Sequence, residues 1–147
     1  MNFLNVLRII HVLGAVLWVG GMFFSLAVLR PSLQILEPPQ RILVHAQVFR
    51  RFFLVVWHAM PLIILSGFIM LFVYYGGPAH VGWNVHLMLL AGLVMAGVFV
   101  GMVFGPYKTF RSTSDRPQMA RSLNSIRHMI GFNLVLGMIT IVVALLS

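Results

Sequence analysis

Apolar residues in this chain come in long unbroken blocks and not in alternation. Four stretches, residues 3–29, 52–75, 83–105 and 126–146, are almost wholly apolar, and each can cross ~30 Å of hydrocarbon, which takes ~20 helical residues. Turn-forming residues collect at their ends: Pro31, Pro38-Pro39, Gly76-Gly77-Pro78 and Pro106. A segment in lipid must pair its own backbone polar groups, so blocks of this length predict helices. The pattern therefore predicts an all-α protein, one domain over residues 1–147, folded as a polytopic membrane four-helix bundle. Pro61 lies inside the second span and predicts a kink or a thinned hydrogen-bond ladder there. The stretch 30–51 carries His45, Gln47 and Arg50-Arg51 among apolar residues and predicts an interfacial helix leading into span two. The first block contains His11 and Trp18 and has no small-residue cleavage site followed by a polar domain. It reads as a retained helix and not as a signal peptide.

Composition agrees with a membrane solvent. The 147 residues are 61% hydrophobic and 8% charged, and the mean hydropathy of +1.01 exceeds what a water-facing surface tolerates. The absence of cysteine excludes disulfides, thiolate metal sites, iron–sulfur clusters and covalent c-type haem, so a metal or cofactor must be held by His or Met. The net charge of +8, with Glu37 and Asp115 as the only acids, belongs to the connecting segments and implies no nucleic-acid partner. The first and third connections hold Arg30, Arg41, Arg50, Arg51, Lys108, Arg111, Arg116 and Arg121, whereas 76–82 holds no Lys or Arg. The positive-inside rule places those two connections in the cytoplasm and both termini on the non-cytoplasmic side, as expected of a bacterial inner (cytoplasmic) membrane protein. Arg8 breaks the rule one turn before His11, which predicts a local anionic partner.

Each span carries one histidine: His11, His58, His86 and His128. Alternate helices run in opposite directions, so a rise of ~1.5 Å per residue sorts them into two layers separated by about 20 Å, His11 with His86 outward and His58 with His128 inward. A pair of imidazoles from facing helices clamps haem iron axially, which predicts one or two bis-histidine haem b groups per chain. Gly14, Ala15, Trp18, Met22 and Ser25 share the face of His11, and Gly82, Leu90, Leu93, Gly97 and Gly101 that of His86; Gly14 and Gly97 in particular leave room for a porphyrin face. Arg8, Arg51 and Arg121, with Asn124 and Arg127 nearby, are placed to meet haem propionates. Membrane histidines also bond across helices or titrate in proton paths, and small residues also serve helix packing alone. His45 and His80 read as loop residues, with His80 a candidate border for a redox partner or quinone site. Trp57, Trp83, Tyr74, Tyr75 and Tyr107 lie near span ends and read as interfacial anchors.

The stretch His11-Val-Leu-Gly14-Ala-Val-Leu-Trp18-Val-Gly20-Gly21, then Arg30-Pro31, Arg50-Arg51-Phe52-Phe53 and Gly67, resembles the CopD-like family of small membrane proteins named after copper resistance. The resemblance implies a four-helix unit with membrane histidines, associated in some members with copper handling and, by similarity to four-helix b-type cytochromes, with haem b. A second similarity is to the HemJ-type protoporphyrinogen oxidases at His11 and His86, although Met88 stands where that family implies a lysine. The sequence thus points first to a membrane b-type cytochrome that relays electrons between a quinone or membrane redox partner and an acceptor across the bilayer, alone, as a homodimer or within a larger complex. With both acids in or near loops, any enzyme activity would be that of an oxidoreductase and not of a carboxylate-driven hydrolase. Copper handling or transport of the CopD type is the alternative, and HemJ-like oxidation the second. The ten methionines, scattered along the chain, read as packing residues and weigh against copper.

Overall fold

In the computed structural model, which describes residues 1–146, the four apolar blocks form four long helices: α1 (Phe3–Ile35), α2 (Pro38–Tyr74), α3 (Trp83–Ser112) and α4 (Arg116–Leu145). Each is long and apolar enough to cross a membrane, and no strand occurs among the described residues. The protein is an all-α integral membrane bundle.

Local chemistry explains the helix ends. The Asn2 side chain caps α1 by accepting the Asn5 amide at 2.9 Å. Glu37 and Gln40 form a reciprocal capping box at the start of α2, so this helix begins well before residue 52 and absorbs the expected interfacial helix. Arg41 closes the preceding corner by donating to the carbonyls of Leu36 at 2.8 Å and Gln34 at 3.1 Å. α4 begins at Arg116, ahead of the apolar block, with Pro117 in its first turn where no amide donor is required. α2 continues through Pro61 as one helix. Widened π-type turns occupy Phe24–Leu29, Met70–Tyr74 and Val103–Tyr107. Pro31 just beyond the first and Pro106 within the third each lack an amide and crowd the carbonyl four residues back, which favours local widening. After Tyr74 the chain reverses at Gly76 and Gly77, whose φ values of 79° and 101° suit glycine.

α1 packs chiefly on α2 and α3 on α4; α1 meets α4, and α2 meets α3 along a thinner seam. The half of the bundle nearer the α1–α2 and α3–α4 corners holds an aromatic core. Phe49 and Phe53 stack at 5.4 Å, Tyr107 stands edge-on to Phe53 at 4.8 Å, and Phe99 meets Phe53, Trp57 and Trp18 edge-on. Met22, Met60, Met95, Met102, Ile126 and Ile130 complete it. The half nearer the termini is less tightly filled.

Candidate functional site

That half contains a cavity of about 170 Å³ to which all four helices contribute. His11 and Trp18 come from α1, Met70 and Gly67 from α2, Met88 and Met95 from α3, and Thr140 from α4. Trp18 and Met95 belong also to the aromatic core, so they form its floor. Met88 and Met95 are seven residues apart, two helical turns, and therefore present their thioethers on one face of α3. The lining is otherwise apolar.

His11 is held in one orientation. Its Nδ1 lies 2.9 Å from the Ile63 carbonyl oxygen and 3.1 Å from Ser66 Oγ. A carbonyl only accepts, so Nδ1 carries the proton, and in its neutral form the ring has its lone pair on Nε2. Ser66 spends its own proton on the Leu62 carbonyl at 2.6 Å, which leaves Oγ as a second acceptor toward Nδ1. Gly67 makes the approach possible, because a Cβ there would stand 3.2 Å from His11 Cε1. Such second contacts fix metal-ligating imidazoles.

The structure distributes the other expected site residues differently. His86 is exposed, and so are Gly82, Leu90, Leu93, Gly97 and Gly101 on its face; α3 turns Ala91, Met95, Phe99 and Met102 inward instead. The physical reason is that residues 87–103 of α3 are apolar all round, so hydropathy does not select a face there and packing of Phe99 and the methionines does. From α3 the cavity takes Val85, Met88, Leu89, Gly92, Leu93 and Met95, so Leu93 alone of the His86 face reaches it and His86 does not. His58 and His128 are exposed, each with Nδ1 bonded to the carbonyl one turn back, Leu54 and Asn124, at 2.8 Å. Gly14 is buried against Ile63 and serves the α1–α2 contact. Arg8 finds a neutral partner, donating to the Tyr75 hydroxyl at 2.9 Å, while Arg51 and Arg121 are exposed. His45, expected in a loop, is a buried residue of α2. The methionines that look scattered in sequence are gathered in space, three on the cavity and three more, Met22, Met60 and Met102, in the core beside it. Among the described residues no three His, Cys, Asp or Glu side chains cluster, so His11 and the thioethers are the ligand-bearing groups of this cavity.

The sequence model of the family described as Copper resistance protein D matches residues 46–146. The chain belongs to this family. No curated protein and no solved structure matches it. The CopD match covers most of α2 and all of α3 and α4, and leaves out α1 with His11. In this CopD-family protein the Met70, Met88 and Met95 positions thus lie within the matched region and the histidine outside it.

Proposed function

We propose that this CopD-family protein handles copper, binding Cu(I) in the cavity through His11 Nε2 and thioethers drawn from Met70, Met88 and Met95. The observation that carries the reading is the convergence of an oriented imidazole and three methionines from three helices on one cavity. Thioether sulfur and imidazole are soft or borderline donors suited to Cu(I). No carboxylate or thiolate lines the cavity, so its ligands are neutral, and a monovalent ion is less costly there than a divalent one. Copper is the cargo, entering from the side of the termini in a bacterial inner membrane. Met22, Met60 and Met102 offer further thioethers past the floor, and onward movement requires Trp18 and Phe99 to shift.

The bis-histidine haem expected from the sequence needs a second imidazole opposite His11, and His86 is exposed on the outside of α3. The two readings separate in one preparation. Purified full-length protein is titrated anaerobically with Cu(I) against a chromophoric chelator, and its reduced-minus-oxidised absorption spectrum is recorded after expression with ample haem. The expected result is one tight Cu(I) per chain, lost in His11→Ala, with no b-type α-band. Stoichiometric haem lost in His11→Ala, or Cu(I) binding equal in wild type and His11→Ala, would overturn the proposal.

A further inference from the structure

The opposite end of the bundle carries a second cluster that copper binding does not use. Arg30 at the end of α1, His45 near the start of α2 and Arg127 in α4 line one narrow cleft together with Ser25 and Phe49. His45 is 7% exposed, and its Nδ1 is buried without a hydrogen-bond partner. Its ring packs beside Phe49 at 5.6 Å between centroids, so the imidazole is fixed in place. Arg30 and Arg127 lie within electrostatic reach of each other and of His45. No acid lines the cleft, and the chain's two carboxylates stand elsewhere, at the N-caps of α2 and α4.

Arg30, which is exposed, and Arg127, which is half-buried, share this cleft with a buried imidazole nitrogen that has no partner, so an anion seated among them would gain from both positive charges. Arginine presents a planar fork of donors that matches a phosphate-type oxyanion, and a buried imidazole with an unsatisfied nitrogen supplies one more polar contact. We propose that Arg30, His45 and Arg127 form a binding site for a phosphate group, at the end of the bundle away from the His11 cavity. The phosphate comes either from the headgroup of an anionic phospholipid in that leaflet or from inorganic phosphate. This inference is independent of copper.

The test uses delipidated full-length protein in neutral detergent, examined by native mass spectrometry with phosphatidylglycerol or phosphatidylcholine and by thermal unfolding with inorganic phosphate. Wild type is expected to retain one phosphatidylglycerol in preference to phosphatidylcholine, with affinity falling about tenfold or more in Arg30→Gln/Arg127→Gln, as loss of charge-assisted hydrogen bonds implies. Arg116→Gln/Arg121→Gln, outside the cleft, should bind as wild type does. Circular dichroism reports whether each variant folds, and His45→Gln gives a second variant that leaves both charges in place. A raised unfolding midpoint with inorganic phosphate, present in wild type and absent in the cleft double variant, would assign the site to the free anion. Equal response of wild type and the cleft variant to both ligands, or equal loss in the control pair, would overturn the site.

Discussion

His11 Nδ1 sits 2.9 Å from the carbonyl oxygen of Ile63, across the α1–α2 contact. Residue 63 precedes Gly67 by one helical turn, so a single stretch of α2 supplies both the acceptor that fixes the imidazole tautomer and the gap that admits the ring. The carbonyl is main-chain, and no side-chain substitution removes it. The gap, however, can be filled.

Gly67→Ala should therefore weaken Cu(I) binding while the bundle still folds. Its Cβ would stand 3.2 Å from His11 Cε1 and 3.6 Å from Nδ1, which displaces the ring by tenths of an ångström and lengthens the bond to Ile63. Loss of an orienting contact costs about 10- to 100-fold in metal affinity, read by anaerobic competition titration. Gly20→Ala, with open space around its Cβ, is the matched control. Equal affinity in Gly67→Ala and wild type would remove the orienting role.

Met88→Leu and Met95→Leu keep side-chain volume and cost less than about 1.5 kcal/mol of stability, but each removes a thioether from the cavity. Each should lower Cu(I) affinity, and X-ray absorption should report fewer sulfur neighbours around copper. Met138→Leu, exposed on the outside of α4, should change neither. A sulfur shell that is unaltered in both cavity variants would sink the thioether assignment.

How much of this was legible beforehand differs by residue. The four helices followed from block length alone, and the inward face of α1, with Gly14, Trp18, Met22 and Ser25 all buried, followed from residues spaced around His11. For α3 the same reasoning chose the face of His86, which the structure leaves mostly exposed, because residues 87–103 hold no polar side chain and give no angular signal. The methionine cluster was invisible for a different reason. Met70, Met88 and Met95 come from two helices, and only the rotation of each about its own axis decides which of them face the cavity. His45 was hidden by the unexpectedly early start of α2, whose cap, Glu37 with Gln40, was present in the sequence as a signal.

Asn133 is 1% exposed and donates from Nδ2 to the Met95 carbonyl at 3.0 Å, while its Oδ1 has no partner. Interhelical hydrogen bonds in membranes contribute about 0.6 kcal/mol, whereas an unsatisfied buried acceptor costs about 1–3 kcal/mol. The second effect wins. Asn133→Leu should leave the thermal midpoint in detergent unchanged or raised, and a fall of several degrees would show that Oδ1 is satisfied in solution.

Gly137 and Gly97 form a contrasting pair in α4 and α3. A Cβ on Gly137 would meet Val19 Cγ2 at 2.7 Å and Met95 Cε at 3.2 Å, while one on Gly97 meets nothing within 4 Å. Gly137→Ala should destabilise the bundle by about 1–3 kcal/mol through overpacking of α4 on α1. Gly97→Ala should be neutral in the isolated chain. If Gly97→Ala is the more harmful of the two, that outward face is covered by something in the membrane.

Under the proposed copper role, the direction of entry depends on topology. The cavity lies toward the end that carries both termini and the basic-free 76–82 connection, and the loop-charge rule predicts that this end faces away from the cytoplasm. The chain has no native cysteine, so single cysteines are clean reporters. Ala79→Cys and Ser114→Cys, both at exposed positions on opposite ends of the bundle, should differ in intact spheroplasts. A membrane-impermeant maleimide should label Ala79→Cys at once and Ser114→Cys only after permeabilisation. The reverse pattern would turn the His11 cavity toward the cytoplasm, and the protein would then collect copper from inside the cell.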